Sequence, residues 1–269
     1  MTIADKGVHV DMNSTEQIQS ETSDAILTLR INRPDKKNAL NLAMYQTLAD
    51  NLRAADRDDT VRVILISGGD ECFTSGNDLT DFLSAPPTGP ESPVMQFLSA
   101  ISEARKPLVA AVNGLAVGIG VTMLLHCDLV YVGNSATFQM PFVNLGLCPE
   151  AGSTLLLPRI MGHQRAAELL LLGEAFNAEK AQRVGIVTEV CPDGDVQALA
   201  RSRALQLAAQ PAAAVRLAKE LLKRDYTVQL RETIAEEGKQ FTVRLKSPEA
   251  AEALQAFMQR RKPDFFRFN

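Results

Sequence analysis

The sequence predicts an α/β domain followed by a wholly helical C-terminal segment. Three observations lead there. Short β-branched runs alternate with helix-period segments from residue 25 to about 193. Glycine-bearing turns separate them at Gly68-Gly69 and at Gly114. Beyond about residue 193 only the helical period remains, and Ala250, Ala253, Leu254, Phe257 and Met258 form one apolar stripe in the last helix. The expected division is a core over 1–199 and a helical segment over 200–269. A chain of 269 residues buries enough surface for such a core without a disulfide or a metal.

Each element has its own signal. Residues 25–31 read as a strand, stopped by Asn32-Arg33-Pro34-Asp35. From Asn41 to about Asp56, Leu42, Tyr45, Leu48, Ala49, Leu52 and Ala55 recur at helical spacing, with Asn41 as N-cap. Val61 to Ile66 is a β-branched strand. A loop and a proline-rich surface connection (Pro86, Pro87, Pro90) occupy 73–90. A helix over about 92–105, a strand over 108–112, a glycine-rich turn, a helix over about 119–126 and a strand from Leu129 to Val132 follow. Leu108 to Leu125 nearly reaches bilayer-spanning length, but Gly114, Gly118 and Gly120 interrupt it, and a buried strand-turn-helix explains it better. The first 24 residues are polar and acidic, with no apolar run of the kind a signal peptide needs.

Charge and composition exclude several functions. A net charge of −4 argues against a nucleic-acid binder. Cys72, Cys127, Cys148 and Cys191 are scattered, so neither a disulfide framework nor a zinc site is expected, and a reducing, cytoplasmic compartment is. No membrane partner is expected. There is no GxxxxGK[ST], no GxGxxG and no GxSxG. Of the three histidines, His9 lies in the polar tail and His126 reads as a satisfied interior histidine; His163 is the third. Acid–base work therefore falls to a carboxylate.

Two loops could present backbone donors: Ser75-Gly76-Asn77-Asp78 after a strand, and Gly118-Ile119-Gly120 opening a helix. Two such N–H groups aimed at one point make an oxyanion hole. The same spacing also suits two tight turns around a buried strand, and both readings stand at this level. Glu150 is similarly open: it is either an acid favourable to the dipole of a following helix or a catalytic group.

The segments Asn32-Arg33-Pro34-Asp35-Lys36-Lys37-Asn38-Ala39-Leu40-Asn41, Phe73-Thr74-Ser75-Gly76-Asn77-Asp78-Leu79, Lys106-Pro107, Ala111-Val112-Asn113-Gly114-Leu115-Ala116-Val117-Gly118 and Cys127-Asp128-Leu129 occur in this order. By them the chain, over about 22–262, resembles the crotonase (enoyl-CoA hydratase/isomerase) superfamily. The resemblance implies a ClpP-like ββα spiral core with a C-terminal helical trimerisation segment. It also implies an acyl-CoA thioester substrate, no metal, no separate cofactor, and a homotrimer or dimer of trimers. It places the oxyanion hole at the N–H groups of Asn77 and Ile119, where Ile119 replaces the family's usual Gly and is expected to narrow the space beside the hole.

Hydratases of this superfamily carry glutamates at the positions of Thr122 and Phe142, and both are lost here. Glu150, in Leu147-Cys148-Pro149-Glu150-Ala151-Gly152, resembles instead the single acid–base residue of peroxisomal-type Δ3,Δ2-enoyl-CoA isomerases. The expected substrate contacts are Lys37, Asn38, Ala39, Ser75, Gly76, Asn77, Asp78, Leu79, Gly118 and Phe142. An apolar lining of Phe142, Leu145 and Leu147 is expected around Glu150. Asp78 is expected to hold its loop through backbone N–H groups, and Asp128 to be a buried, hydrogen-bonded carboxylate. Arg33, Lys36 and Lys37 resemble the CoA-facing loop, and Arg260, Arg261 and Lys262 a tail that packs on a neighbouring subunit. A hydratase-like enzyme and a catalytically idle acyl-CoA-binding protein are the alternatives.

Overall fold

The computed structural model describes residues 16–78 and 89–268. The chain opens with β1 (Ile18–Ser23), β2 (Ile26–Ile31), α1 (Leu42–Arg57), β3 (Val63–Ser67), β4 (Cys72–Thr74) and α2 (Pro93–Glu103). Next come β5 (Leu108–Val112), β6 (Leu115–Val117), α3 (Ile119–Thr122), β7 (Leu129–Gly133) and β8 (Thr137–Gln139). Then follow α4 (Ser153–Met161), α5 (His163–Ala167), β9 (Phe176–Asn177), α6 (Ala178–Arg183) and β10 (Glu189–Cys191). Four helices end the chain: α7 (Val196–Ala208), α8 (Ala212–Lys223), α9 (Thr227–Leu245) and α10 (Pro248–Met258).

The strands form two sheets, ordered β1-β2-β3-β5-β7-β10 and β4-β6-β8-β9. In each consecutive pair β3/β4, β5/β6 and β7/β8, the first strand joins the large sheet and the second the small one. The chain thus climbs as a spiral, one strand to each sheet per turn. All pairings are parallel except β1 with β2 and β8 with β9.

The central strands of the large sheet are apolar on both faces. Leu27, Leu29, Ile64, Ile66, Leu108, Ala110 and Val112 face the main core with α1 and α2. Ile26, Val63, Leu65, Val109 and Ala111 face the other side, where Val196, Ala200, Ala204 and Ala208 of α7 cover them at i, i+4 spacing. The boundary at 199/200 therefore falls inside a helix that completes the sheet.

The spiral's corners need glycine. Gly114 has φ +63, and a Cβ there would lie 1.8 Å from the Glu71 carbonyl oxygen. Gly114→Ala is expected to cost at least about 1–3 kcal/mol from left-handed strain alone. Urea unfolding checks this: the midpoint falls while the slope stays constant.

The structure corrects several elements, among them β4, which runs into the loop expected over 73–90. The polar N-terminal stretch contains β1, paired to β2 in register Ile18↔Ile31 to Ser23↔Ile26. The helix expected over 119–126 is α-helical only to Thr122 and continues as a 3-10 turn from Met123 to His126. Leu108 to Leu125 holds β5, then a second short strand, β6, where only a glycine-rich turn was expected, then α3; no described helix is long and apolar enough to cross a membrane.

Candidate active site

The two donor loops are packed together by small residues. A Cβ on Gly76 would meet the Val117 carbonyl oxygen at 3.0 Å, and one on Gly120 would meet the Thr74 Cγ2 at 2.7 Å. Leu40 donates its N–H to the Gly76 oxygen at 2.8 Å and accepts from the Asp78 N–H at 2.9 Å. Asn77, between them, aims its own N–H away from Leu40, because N–H groups alternate along an extended chain. Ile119 is the first residue of α3, so its N–H has no partner within the helix. Neither N–H has an acceptor among the described residues.

Around these loops, Asn38 is buried and acts as a staple. Its side chain accepts from the Arg33 N–H at 2.7 Å and donates to the carbonyls of Cys72 and Phe73 at 2.8 and 3.2 Å. Asn38, expected to touch substrate, ties the Arg33–Asn38 segment to β4. Asp78 is held by a charged partner as well as by the backbone bridge: Arg33 Nη1 lies 2.6 Å from its Oδ2. Arg33 is thereby spent on the loop, while Lys36 and Lys37 stay exposed beside it. Ser75 and Ala39 are half-buried, and Gly118 takes φ +56 to open α3. Leu79 lies outside the described residues. Asp128, expected to be buried, is an exposed residue whose carboxylate accepts from the Leu108 N–H and from Lys219 Nζ, both at 2.7 Å.

Glu150 is 5% exposed, and its Oε1 is buried with no hydrogen-bond partner among the described residues. Burial pushes its carboxyl up to about 8, with the nearby Glu237 charge adding to the shift. It lines a cavity of about 540 Å³ together with Val94, Met95 and Leu98 of α2 and Ala235, Gly238 and Phe241 of α9. The apolar lining thus comes from α2 and α9. Phe142, expected beside Glu150, is buried in the main core and is not among the residues lining this cavity; Leu147 packs against the same core. The Ile119 side chain is fully buried in the same core and is not among the residues lining that cavity.

Two links tie the donor loops to Glu150. The Tyr45 hydroxyl of α1 donates to the Asn77 side-chain oxygen, and the Glu150 charge adds to the burial that raises the Tyr45 hydroxyl. After α3, His126 Nε2 lies 2.8 Å from the Ala151 carbonyl oxygen. A carbonyl only accepts, so Nε2 carries the proton. Burial pushes His126 down to about 3 and keeps it neutral. The Thr122 hydroxyl is buried and donates to the Gly118 carbonyl at 3.4 Å.

Tyr45 and Glu237 went unrecognised in the sequence as parts of this site. Tyr45 sits in the apolar stripe of α1 and looks like core. Glu237 shares the buried face of α9 with Leu230, Ile234 and Phe241. A carboxylate at such a position was the available signal. Among the described residues no group of three or more His, Cys, Asp or Glu could hold a metal ion, and all four cysteines are free.

The spiral fold with its two loops of backbone N–H groups, unpaired among the described residues, leads to a known family. Residues 21–267 match the family described as enoyl-CoA hydratase/isomerase. The chain belongs to that family, whose members act on acyl-CoA thioesters. It is 37% identical over 260 residues to enoyl-CoA delta isomerase 2 of Homo sapiens, covering 93% of this chain and 66% of the relative. The chain thus spans slightly less than two thirds of that relative's length. It is 35% identical to 2,3-dehydroadipyl-CoA hydratase of Escherichia coli, covering 89% of this chain and 94% of the relative. Among solved structures, Pseudomonas aeruginosa OdaA is 53% identical, with a TM-score of 0.89, over 91% of this chain and 99% of that one.

Proposed function

We propose that the protein moves the double bond of a 3-enoyl-CoA thioester to the 2-trans position, with Glu150 as its one acid–base group. The carrying observation is a single buried carboxylate, one oxygen without a hydrogen-bond partner among the described residues, in a mostly apolar cavity. As a carboxylate, Glu150 removes a proton from C2 of the thioester. The electron pair moves onto the thioester oxygen, which the N–H groups of Asn77 and Ile119 stabilise as the charge develops. Protonated Glu150 then returns the proton to C4, and the double bond settles between C2 and C3. No atom is lost or gained, and CoA is part of the substrate. The exposed Lys36 and Lys37 beside the donor loop supply charge for the CoA phosphates.

The test offers 3-enoyl-CoA and 2-enoyl-CoA separately and separates the products chromatographically. The reading holds if the first becomes 2-trans-enoyl-CoA. A second reading, hydration, has the support of the similarity to the Escherichia coli hydratase. It predicts 3-hydroxyacyl-CoA from the 2-enoyl substrate at least as fast.

We also propose a trimer or a dimer of trimers in a reducing, cytoplasmic setting. Leu217, Leu221 and Leu222 of α8 are 54%, 53% and 80% exposed, as are Val228 and Phe257 at 64% each. A single chain leaves these uncovered, and apolar exposure on that scale favours association. Light scattering at micromolar concentration is expected to give a mass of three or six chains; a stable monomer would refute it.

A further inference from the structure

Glu150 sits at the start of a strained turn. Ala151 has φ +61 and Gly152 has φ +74, so two successive residues are left-handed and one of them carries a Cβ. Such a conformation persists only where its surroundings impose it. The turn leads into α4, whose N-cap is Gly152, so the helix has no capping side chain of its own. The cap comes from α9 instead. Glu237 Oε2 accepts from the Gly152 N–H at 2.5 Å, and its Oε1 accepts from the Thr154 N–H at 3.0 Å and the Thr154 hydroxyl at 2.5 Å. Glu237 is itself 7% exposed. From the opposite side His126 holds the Ala151 carbonyl. α9 also presses directly on the turn, since a Cβ on Gly152 would lie 2.3 Å from Leu230 Cδ1.

We propose that Glu237 is a positioning residue: its carboxylate caps α4 and holds the left-handed turn that presents Glu150. This rests on the reading of Glu150 as the proton carrier. It gives the C-terminal helices a part in the chemistry of their own chain, beyond any part in assembly.

Several titratable groups surround Glu150. Tyr45 faces it from α1, Glu237 and Lys239 come from α9, Cys148 lies on its own segment, and His126 follows α3. Tyr45 is pushed well above its ordinary range, the Cys148 thiol is raised to about 11 and His126 is lowered to about 3. Lys239 is an exposed ammonium. Between pH 5 and 9 the two carboxylates are therefore the groups that matter. Three donors favour the charged form of Glu237, against a larger effect of burial.

The test is a pH–rate profile of Glu237→Gln beside Glu237→Asp, with each fold checked by circular dichroism. Glutamine keeps the shape, removes the charge and sets an amide N–H₂ group against one of the three donors. Its kcat is expected to fall roughly 10–100-fold, with KM within about threefold. The acidic limb of kcat/KM should move about one unit lower, because a like charge has gone. Aspartate keeps the charge but withdraws the carboxylate by one methylene. It should leave the limb in place while kcat falls about tenfold. A folded Glu237→Gln enzyme with unchanged kcat and limb overturns the proposal, as does a Glu237→Asp enzyme with full kcat. Glu150→Gln, run in parallel, separates the premises: full activity there overturns the role of Glu150 itself.

Discussion

Glu150→Gln is expected to lower isomerase turnover by about 10²–10⁴-fold while acyl-CoA affinity stays within a few-fold of wild type. The amide matches the carboxyl in shape, so the cavity keeps its volume and its lining. It cannot accept the C2 proton, and no second carboxylate lines the cavity among the described residues. Steady-state kinetics with a 3-enoyl-CoA, paired with a direct binding titration, checks both halves. Turnover within about tenfold of wild type would sink the assignment.

The same residue fixes the sign of two pH effects. With its carboxyl raised to about 8, Glu150 is largely protonated at neutral pH, so kcat/KM should rise with pH and level off above about 8. Stability moves the other way. Below about pH 4.3 the group is protonated in both folded and unfolded chains. Between there and about 8 the unfolded chain ionises while the folded one keeps its proton. Stability therefore falls through that window, and the loss is complete above it. Glu150→Gln lacks this penalty, so its stability relative to wild type should grow from pH 5 to pH 8 in urea unfolding. Activity and stability trade against each other at one carboxylate, as a base kept in an apolar pocket requires.

Much of this was legible in the chain because local signals agreed with the fold. The stripe of α1 and its Asn41 cap are as the periodicity predicts, with the Asn41 side chain accepting from the Met44 N–H at 2.8 Å. β5 matches the apolar run over 108–112. β1 was hidden because only Ile18 of its six residues is buried, so it carries no strand alternation. Its turn, Asp24-Ala25, has both φ values positive, and alanine does not advertise that conformation. At the site, Glu150 and the donor loops were visible as segments, but their partners were not. Asn38 looks like a loop residue until two of its three hydrogen bonds cross 34 and 35 residues to β4. Glu237 is 87 positions from Glu150, and only the fold of α9 over the turn brings the two together. Long-range pairing of polar groups leaves no period in a sequence.

In heavy water, deuterium is expected to enter C2 of a bound saturated or 3-enoyl thioester, while 3-hydroxyacyl-CoA from a 2-enoyl substrate stays at least about 100-fold slower than isomerisation. Enolisation needs one base and two donors, which Glu150, Asn77 and Ile119 supply in the proposed mechanism. Adding water at C3 needs a further group to hold and deprotonate that water. Thr122 has already given its hydroxyl to the Gly118 carbonyl, and Phe142 is buried in the core with no polar atom to offer. An ordered water asks for two to four polar partners. The walls around Glu150 are mostly carbon, from Val94, Met95, Leu98, Ala235 and Phe241. A protonated Glu150 in such a place exchanges its hydrogen with solvent slowly while the enolate is bound, so label at C2 should lag behind turnover at low conversion. Mass spectrometry of the recovered thioester measures the label, and chromatography measures the hydroxy product. Hydration as fast as isomerisation would mean that a second acid–base group reaches C3, and the isomerase reading would then give way to the hydratase one.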